Sequence, residues 1–128
     1  MEHLIQKALE ARKESYSPYS KFAVGVALEA ADGTVILGAN VENASYGLTI
    51  CAERVALVKA VSQGIKKFKR LAVVADTPDP VAPCGACRQM LNEFAPRLEI
   101  ILANIKGQSE TTTLDQLLPK AFRLEEMA

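Results

Sequence analysis

The residues best suited to chemistry in this chain are its three cysteines and one glutamate. Cys51 and Glu53 stand in Cys51-Ala52-Glu53-Arg54; Cys84 and Cys87 stand in Pro83-Cys84-Gly85-Ala86-Cys87-Arg88-Gln89. A Cys-x-x-Cys at a helix start places two thiolates around one metal, and Cys51 offers a third from another helix start. Zinc takes four protein ligands in a structural site, and three plus a water in a catalytic one. The chain has no fourth cysteine, and its one histidine, His3, lies in the predicted first helix and reads as a surface residue. An open coordination sphere implies a metal-activated water, hence hydrolysis. Glu53 is close enough in sequence to Cys51 to reach that water without binding the metal, and so to carry a proton from water to substrate.

Three thiolates on Zn²⁺ sum to a net charge of minus one, which weakens the metal as a Lewis acid. Two features offset this. Helix N-termini direct N–H groups and positive dipole ends toward the sulfurs. Arg54, directly after the Cys51 segment, can donate hydrogen bonds to a thiolate and tune the site from outside the ligand set. Arg88 reads more readily as a surface residue.

These groups must be positioned by regular elements. Residues 2–15 read as a helix with Leu4, Ile5, Ala8 and Leu9 on one face. Ser17-Pro18-Tyr19-Ser20 breaks it. Phe22, Val24, Val26 and Leu28 alternate with Ala23, Gly25 and Ala27, a strand with one large and one small face. Asp32-Gly33 signals a hairpin turn, with residues 34–39 returning. Residues 40–50 form a loop. A helix is expected from Cys51 to Ser62, with Thr49 as N-cap and Gly64 as C-cap. Leu71 to Ala75 suits a buried strand, and Asp76 to Pro83 a loop. Cys84 to Phe94 is a second helix, with Pro83 at its start. Strands follow at Glu99–Asn104 and Thr111–Thr113, then a short helix at Leu114–Leu118. This order predicts a sheet covered by helices and parallel in its second half. The cysteine segments fall at strand-loop-helix junctions, where open sheets bind ligands.

The 128 residues suit one domain spanning 1–128, and a 49% hydrophobic content is enough for a core. No apolar run approaches the roughly 18 residues of a membrane span. The N-terminus lacks a secretory pattern, so a cytoplasmic location is expected. An odd number of cysteines argues against a disulfide framework. Lys plus Arg equals Asp plus Glu, at 15 each, which favours a small substrate over nucleic acid. The one basic cluster, Lys66, Lys67, Lys69 and Arg70, reads as a solvated turn.

The pairing of Cys-x-Glu with a later Pro-Cys-x-x-Cys matches the zinc-deaminase signature. Over nearly the whole chain the sequence resembles the small homotetrameric cytidine deaminases. The resemblance runs from Ser17-Pro18-Tyr19-Ser20-Lys21-Phe22 and Val24-Gly25 through Asn40-Val41-Glu42-Asn43-Ala44 and the two cysteine segments to Leu117-Leu118-Pro119 and Phe122. It implies a three-layer α/β/α fold with a mixed five-stranded sheet. It implies one Zn²⁺ per subunit on Cys51, Cys84 and Cys87, and cytidine and deoxycytidine as substrates in pyrimidine salvage. Zinc-bound hydroxide would attack C4 while Glu53 shuttles protons to N3 and to the departing ammonia. Asn40 and Glu42 would bind the ribose, Phe22 would pack on the pyrimidine, and the backbone at Ala52 and Cys84 would hold the base. Phe122 would reach a neighbouring subunit's site in a homotetramer, and Tyr46 would line an intersubunit contact.

Three other readings compete. A deaminase of another small molecule would share the metal motif, but Phe22 with Asn40-x-Glu42 points to a nucleoside. A thiol oxidoreductase would use Cys84-Gly85-Ala86-Cys87 and leave Cys51 and Glu53 idle. A structural zinc module would require a fourth ligand.

Overall fold

The two faces of the first strand decide how the layers assemble. In the computed structural model, which describes residues 2–124, β1 (Val24–Ala30) turns Val26, Leu28 and Ala30 to one core and Ala27 to another. The large face meets α2 (Ala52–Ser62) through Ala52, Ala56, Leu57 and Ala60, and α3 (Gly85–Phe94) through Leu91. The small face meets α1 (Glu2–Arg12) through Leu4 and Ala8. Helices therefore cover both sides of the sheet, and the layers are α/β/α.

Two glycines set how closely those helices approach. A Cβ on Gly25 would stand 2.1 Å from the Ala8 carbonyl oxygen, so α1 rests on the strand backbone itself. On Gly38 of β2 (Val35–Ala39), a Cβ would stand 2.6 Å from the Ala52 carbonyl oxygen and 2.7 Å from the Ala56 nitrogen. The first turn of α2, which carries Glu53, is seated by that contact.

The remaining strands are β3 (Phe68–Ala75), β4 (Glu99–Asn104) and β5 (Ser109–Thr113), followed by the short α4 (Leu114–Leu117). The sheet order is β2-β1-β3-β4-β5. Leu71 to Ala75 of central β3 are all buried, as a strand covered on both faces requires. β3 and β4 run parallel, joined through α3. The second half of the sheet is not parallel throughout: β5 pairs antiparallel with β4. Residues 105–108 between them, with Gly107 at φ 93°, make a tight turn too short for a crossover.

Other boundaries differ from expectation for local reasons. α1 stops at Arg12 rather than residue 15, because the chain turns to lie along the end of β2, where the Tyr16 N–H donates to the Asn40 carbonyl (3.0 Å). β1 starts at Val24, so Phe22 precedes the strand. Of the basic cluster, Lys66 and Lys67 are exposed before β3, while Arg70 pairs with Glu29 (3.1 Å) and Glu99 (3.6 Å). His3 is exposed on α1. Among the described residues no helix is long and apolar enough to cross a membrane.

Candidate metal centre and substrate cavity

Two helices begin on a cysteine. Cys51 is the N-cap of α2 and Cys84 the N-cap of α3, both with extended backbone, and neither side chain caps its helix. Thr49 is therefore not the N-cap; its Oγ1 instead accepts the Asn43 N–H (3.1 Å). Cys87 occupies the third helical position of α3, the position whose side chain faces an N-cap residue in a capping box. That is why Cys-x-x-Cys at a helix start works as a clamp: Cys84 and Cys87 Sγ lie 3.4 Å apart. Cys51 Sγ lies 3.8 Å from Cys84 Sγ, and all three sulfurs fall within 4.8 Å of one another.

This geometry fits zinc. Tetrahedral Zn–S bonds of about 2.3 Å put sulfurs roughly 3.8 Å apart. The cysteines are free, as the metal reading requires and a disulfide reading does not. Both N-cap sulfurs sit at positive helix ends.

Arg54 adds a positive charge beside the Cys51 sulfur. Its Nη2 lies 3.6 Å from Cys51 Sγ and 3.5 Å from the Thr49 carbonyl oxygen. Hydrogen bonding from the Cys87 thiol, aided by Arg54, lowers the Cys51 pKa to about 5. Cys87 moves the other way, because it donates to Cys51 and is buried.

Glu53, at the second helical position of α2, is only 5% exposed. Burial raises its carboxyl pKa to about 7. Glu53, Cys51 and Ala52 line one cavity of about 200 Å³ together with Phe22 and Asn40. Sequence reasoning missed five further lining residues: Val24, Thr49, Val73, Val81 and Ala82. Val24 and Val73 could have been suspected as members of expected strands, but nothing local marks the other three.

Asn40 is buried, and its amide is largely occupied. Oδ1 accepts from the Ser15 hydroxyl (2.5 Å) and the Val24 N–H (2.9 Å), and Nδ2 donates to the Phe22 carbonyl (2.8 Å). An amide has two lone pairs and two N–H groups, so one N–H remains. Glu42 lies outside this cavity, in an adjoining one lined by Tyr19, Ser20, Tyr46 and Thr49. Thr49 lines both. Glu42 Oε1 accepts the N–H groups of Tyr19 (3.0 Å) and Ser20 (3.1 Å), and Oε2 accepts the Ser20 hydroxyl. The Ser20 hydroxyl holds the Glu42 carboxyl below its ordinary range. Phe122 does not line its own chain's cavity; it is 60% exposed, and its carbonyl accepts from Gln89 Nε2 (2.9 Å).

Known proteins resemble this chain in sequence and fold. Residues 1–103 match the family model described as the cytidine and deoxycytidylate deaminase zinc-binding region. The cytidine deaminase of Sporosarcina psychrophila is 53% identical over 129 aligned residues, covering 100% of this chain and 95% of that protein. The cytidine deaminase of Halalkalibacterium halodurans is 54% identical, covering 97% of this chain and 95% of that protein. The crystal structure of cytidine deaminase from Burkholderia pseudomallei superposes with a TM-score of 0.92 at 50% identity, covering 94% of this chain and 98% of that one. Three thiols at two helix starts, a buried glutamate beside them and end-to-end likeness to these proteins agree: the chain belongs to the cytidine and deoxycytidylate deaminase zinc-binding family.

Proposed function

We propose that this protein hydrolytically deaminates cytidine and deoxycytidine to uridine and deoxyuridine, releasing ammonia, in pyrimidine salvage. The observation that carries the reading is the clustering of Cys51, Cys84 and Cys87, with Cys51 and buried Glu53 lining one small cavity walled by Phe22. Zinc held by the three cysteines supplies a Lewis acid that activates water at neutral pH. Glu53 takes a proton from the attacking water and delivers it to N3 of the pyrimidine. It then passes the second proton to the departing amino group, so that water and cytidine balance against uridine and ammonia. A carboxyl whose pKa is raised to about 7 suits both directions of transfer.

Phe22 packs on the pyrimidine, and the backbone at Ala52 and Cys84 holds the base. Asn40 and Glu42 divide the ribose between them. The one free N–H of Asn40 makes it a donor, and the remaining acceptor site on Glu42 Oε2 makes it an acceptor. A hydroxyl can satisfy both at once.

We also propose a homotetramer in which Phe122 finishes a neighbour's site. Its support is the exposure of Phe122, of Tyr19 and Tyr46, which line the cavity that holds Glu42, and of Leu48 and Ile50 in the same chain segment as Tyr46. Apolar groups of this kind mark surfaces that bury on association. Three free thiols and balanced charge suit the reducing cytoplasm.

The test is to incubate the purified, zinc-loaded protein with cytidine and measure uridine and ammonia. A zinc-loaded protein that produces neither would overturn the reading. Sedimentation with activity measured across dilution tests the assembly, and a fully active monomer would remove the role given to Phe122.

A further inference from the structure

We propose that Arg88 is a positioning residue for the metal centre: its guanidinium locks the peptide plane that leads into Cys84 and ties it to the end of α4. The inference rests on Cys84 being a metal ligand, as argued above.

Arg88 follows Cys87 directly on α3. Its Nε–H donates to the Pro83 carbonyl (2.7 Å) and its Nη1–H to the Leu117 carbonyl (2.7 Å). Both bonds are short and charge-assisted. Pro83 is buried, and a proline's φ is fixed by its ring. Rotation about its ψ is therefore the freedom left at the residue that delivers Cys84. That rotation swings the Pro83 carbonyl and the Cys84 backbone together. Arg88 holds the carbonyl, so it holds the direction in which the sulfur leaves the chain.

The bracing is needed because Cys84 has little of its own. It is exposed, and its side chain makes no cap bond to the helix it begins. The loop before it is secured at the far end, where Asn104 Nδ2 donates to the carbonyls of Thr77 (3.0 Å) and Pro78 (3.2 Å). Arg88 secures the near end. The clamp is grounded in the core, because Leu117 closes α4, whose Leu114 is completely buried. A terminal helix carbonyl is a free acceptor for such a bond.

Arg88 differs in kind from Arg54. Arg54 touches the Cys51 sulfur and acts through charge; Arg88 touches two backbone oxygens and acts through position. Gln89, its neighbour, donates to the Phe122 carbonyl instead and provides a control on the same helix. Lysine cannot reproduce a planar fork that reaches two acceptors at fixed angles.

The experiment compares zinc-loaded wild type, Arg88→Met, Arg88→Lys and Gln89→Ala. It reads the rate of zinc transfer to an excess of a colorimetric chelator and the thiolate-to-metal bands of the cobalt(II)-substituted proteins. Groups that orient metal ligands typically contribute 10–100-fold to affinity or activity. Arg88→Met is expected to lose zinc about 10-fold faster, at the lower end of that range, and to shift the cobalt bands. Arg88→Lys should fall between it and wild type, and Gln89→Ala should keep the wild-type rate and spectrum. Wild-type zinc loss and cobalt spectra in folded Arg88 variants, with only Tm lowered, would overturn the proposal; if Arg88→Met fails to fold, Arg88→Lys decides. A wild type that binds no zinc would instead overturn the metal reading itself.

Discussion

The metal-side wall of the site and the wall proposed to bind ribose, here the ribose side, are built differently. Cys51, Glu53, Cys84 and Cys87 stand on the first turns of two core-packed helices, each begun by a cysteine. Tyr19, Ser20, Phe22 and Glu42 stand on exposed or half-exposed loop, tied together by the Glu42 carboxylate and by Asn40. The three thiols of the metal side all come from one chain. The ribose side is open, and its loop borrows its shape from side chains that the proposed function also assigns to substrate. Changes on the metal side should therefore act on kcat or metal content. Changes on the ribose side should act on KM and on loop order together.

The sharpest break is on the metal side. Cys84→Ala should lose zinc and all measurable turnover, since among the described residues the cluster offers only three ligands. Stoichiometric zinc in an active variant would end the three-thiolate assignment. Next is Glu53→Gln, which keeps the size of the side chain but cannot carry a proton. It should keep zinc and lose at least the roughly 10²–10⁴-fold that general acid–base catalysis contributes. Near-normal kcat would remove Glu53 from the chemistry.

On the ribose side, Glu42→Ala should raise KM for cytidine by about 10–100-fold, the range set by roughly 1.5–3 kcal/mol for hydrogen bonds to a charged group. It should leave free cytosine much less affected. Equal effects on the two substrates would mean that Glu42 acts only by shaping the Tyr19–Ser20 turn. The smallest effect is expected at Lys21, whose φ of 61° lies in the left-handed region just before Phe22. Lys21→Gly should relieve about 1–2 kcal/mol of backbone cost and lose about 0.5–1 kcal/mol to chain entropy. Chemical denaturation should show a net stabilisation of about 1 kcal/mol or less, with kcat unchanged. A clear loss of stability would show that the lysine side chain, rather than the backbone, holds this turn.

The metal side was far easier to read in the sequence than the ribose side. Its ligands lie at fixed offsets along helix starts, and the clamp formed by Cys84 and Cys87 is a property of one helical turn. The ribose side depends on pairs far apart in the chain. Asn40 is joined to Ser15, and Glu42 to Ser20, across stretches whose composition announces nothing. The ribose role expected of Asn40 comes from the family resemblance, and the structure shows an amide already holding Phe22 and Val24. The strand and helix periods of β1 and α3 were legible because burial repeats along the element. The end of α1 was not, since it is set by pairing with the end of β2.

By itself, then, the sequence determined what is local: the three thiols, the glutamate beside them, the missing fourth ligand and the periodic faces of the main elements. These depend on spacing along a few residues and need no knowledge of the rest of the chain. Tertiary structure alone decided what is distant. It turned β5 antiparallel to β4, made Cys51 the N-cap in place of Thr49, and brought Thr49, Val73, Val81 and Ala82 to the cavity wall. It also carried the Leu117 carbonyl across 29 residues to Arg88, which composition alone had marked as an ordinary surface charge. The reason is physical: a hydrogen bond needs two groups within about 3 Å, and only the packed sheet brings groups so far apart in the chain that close.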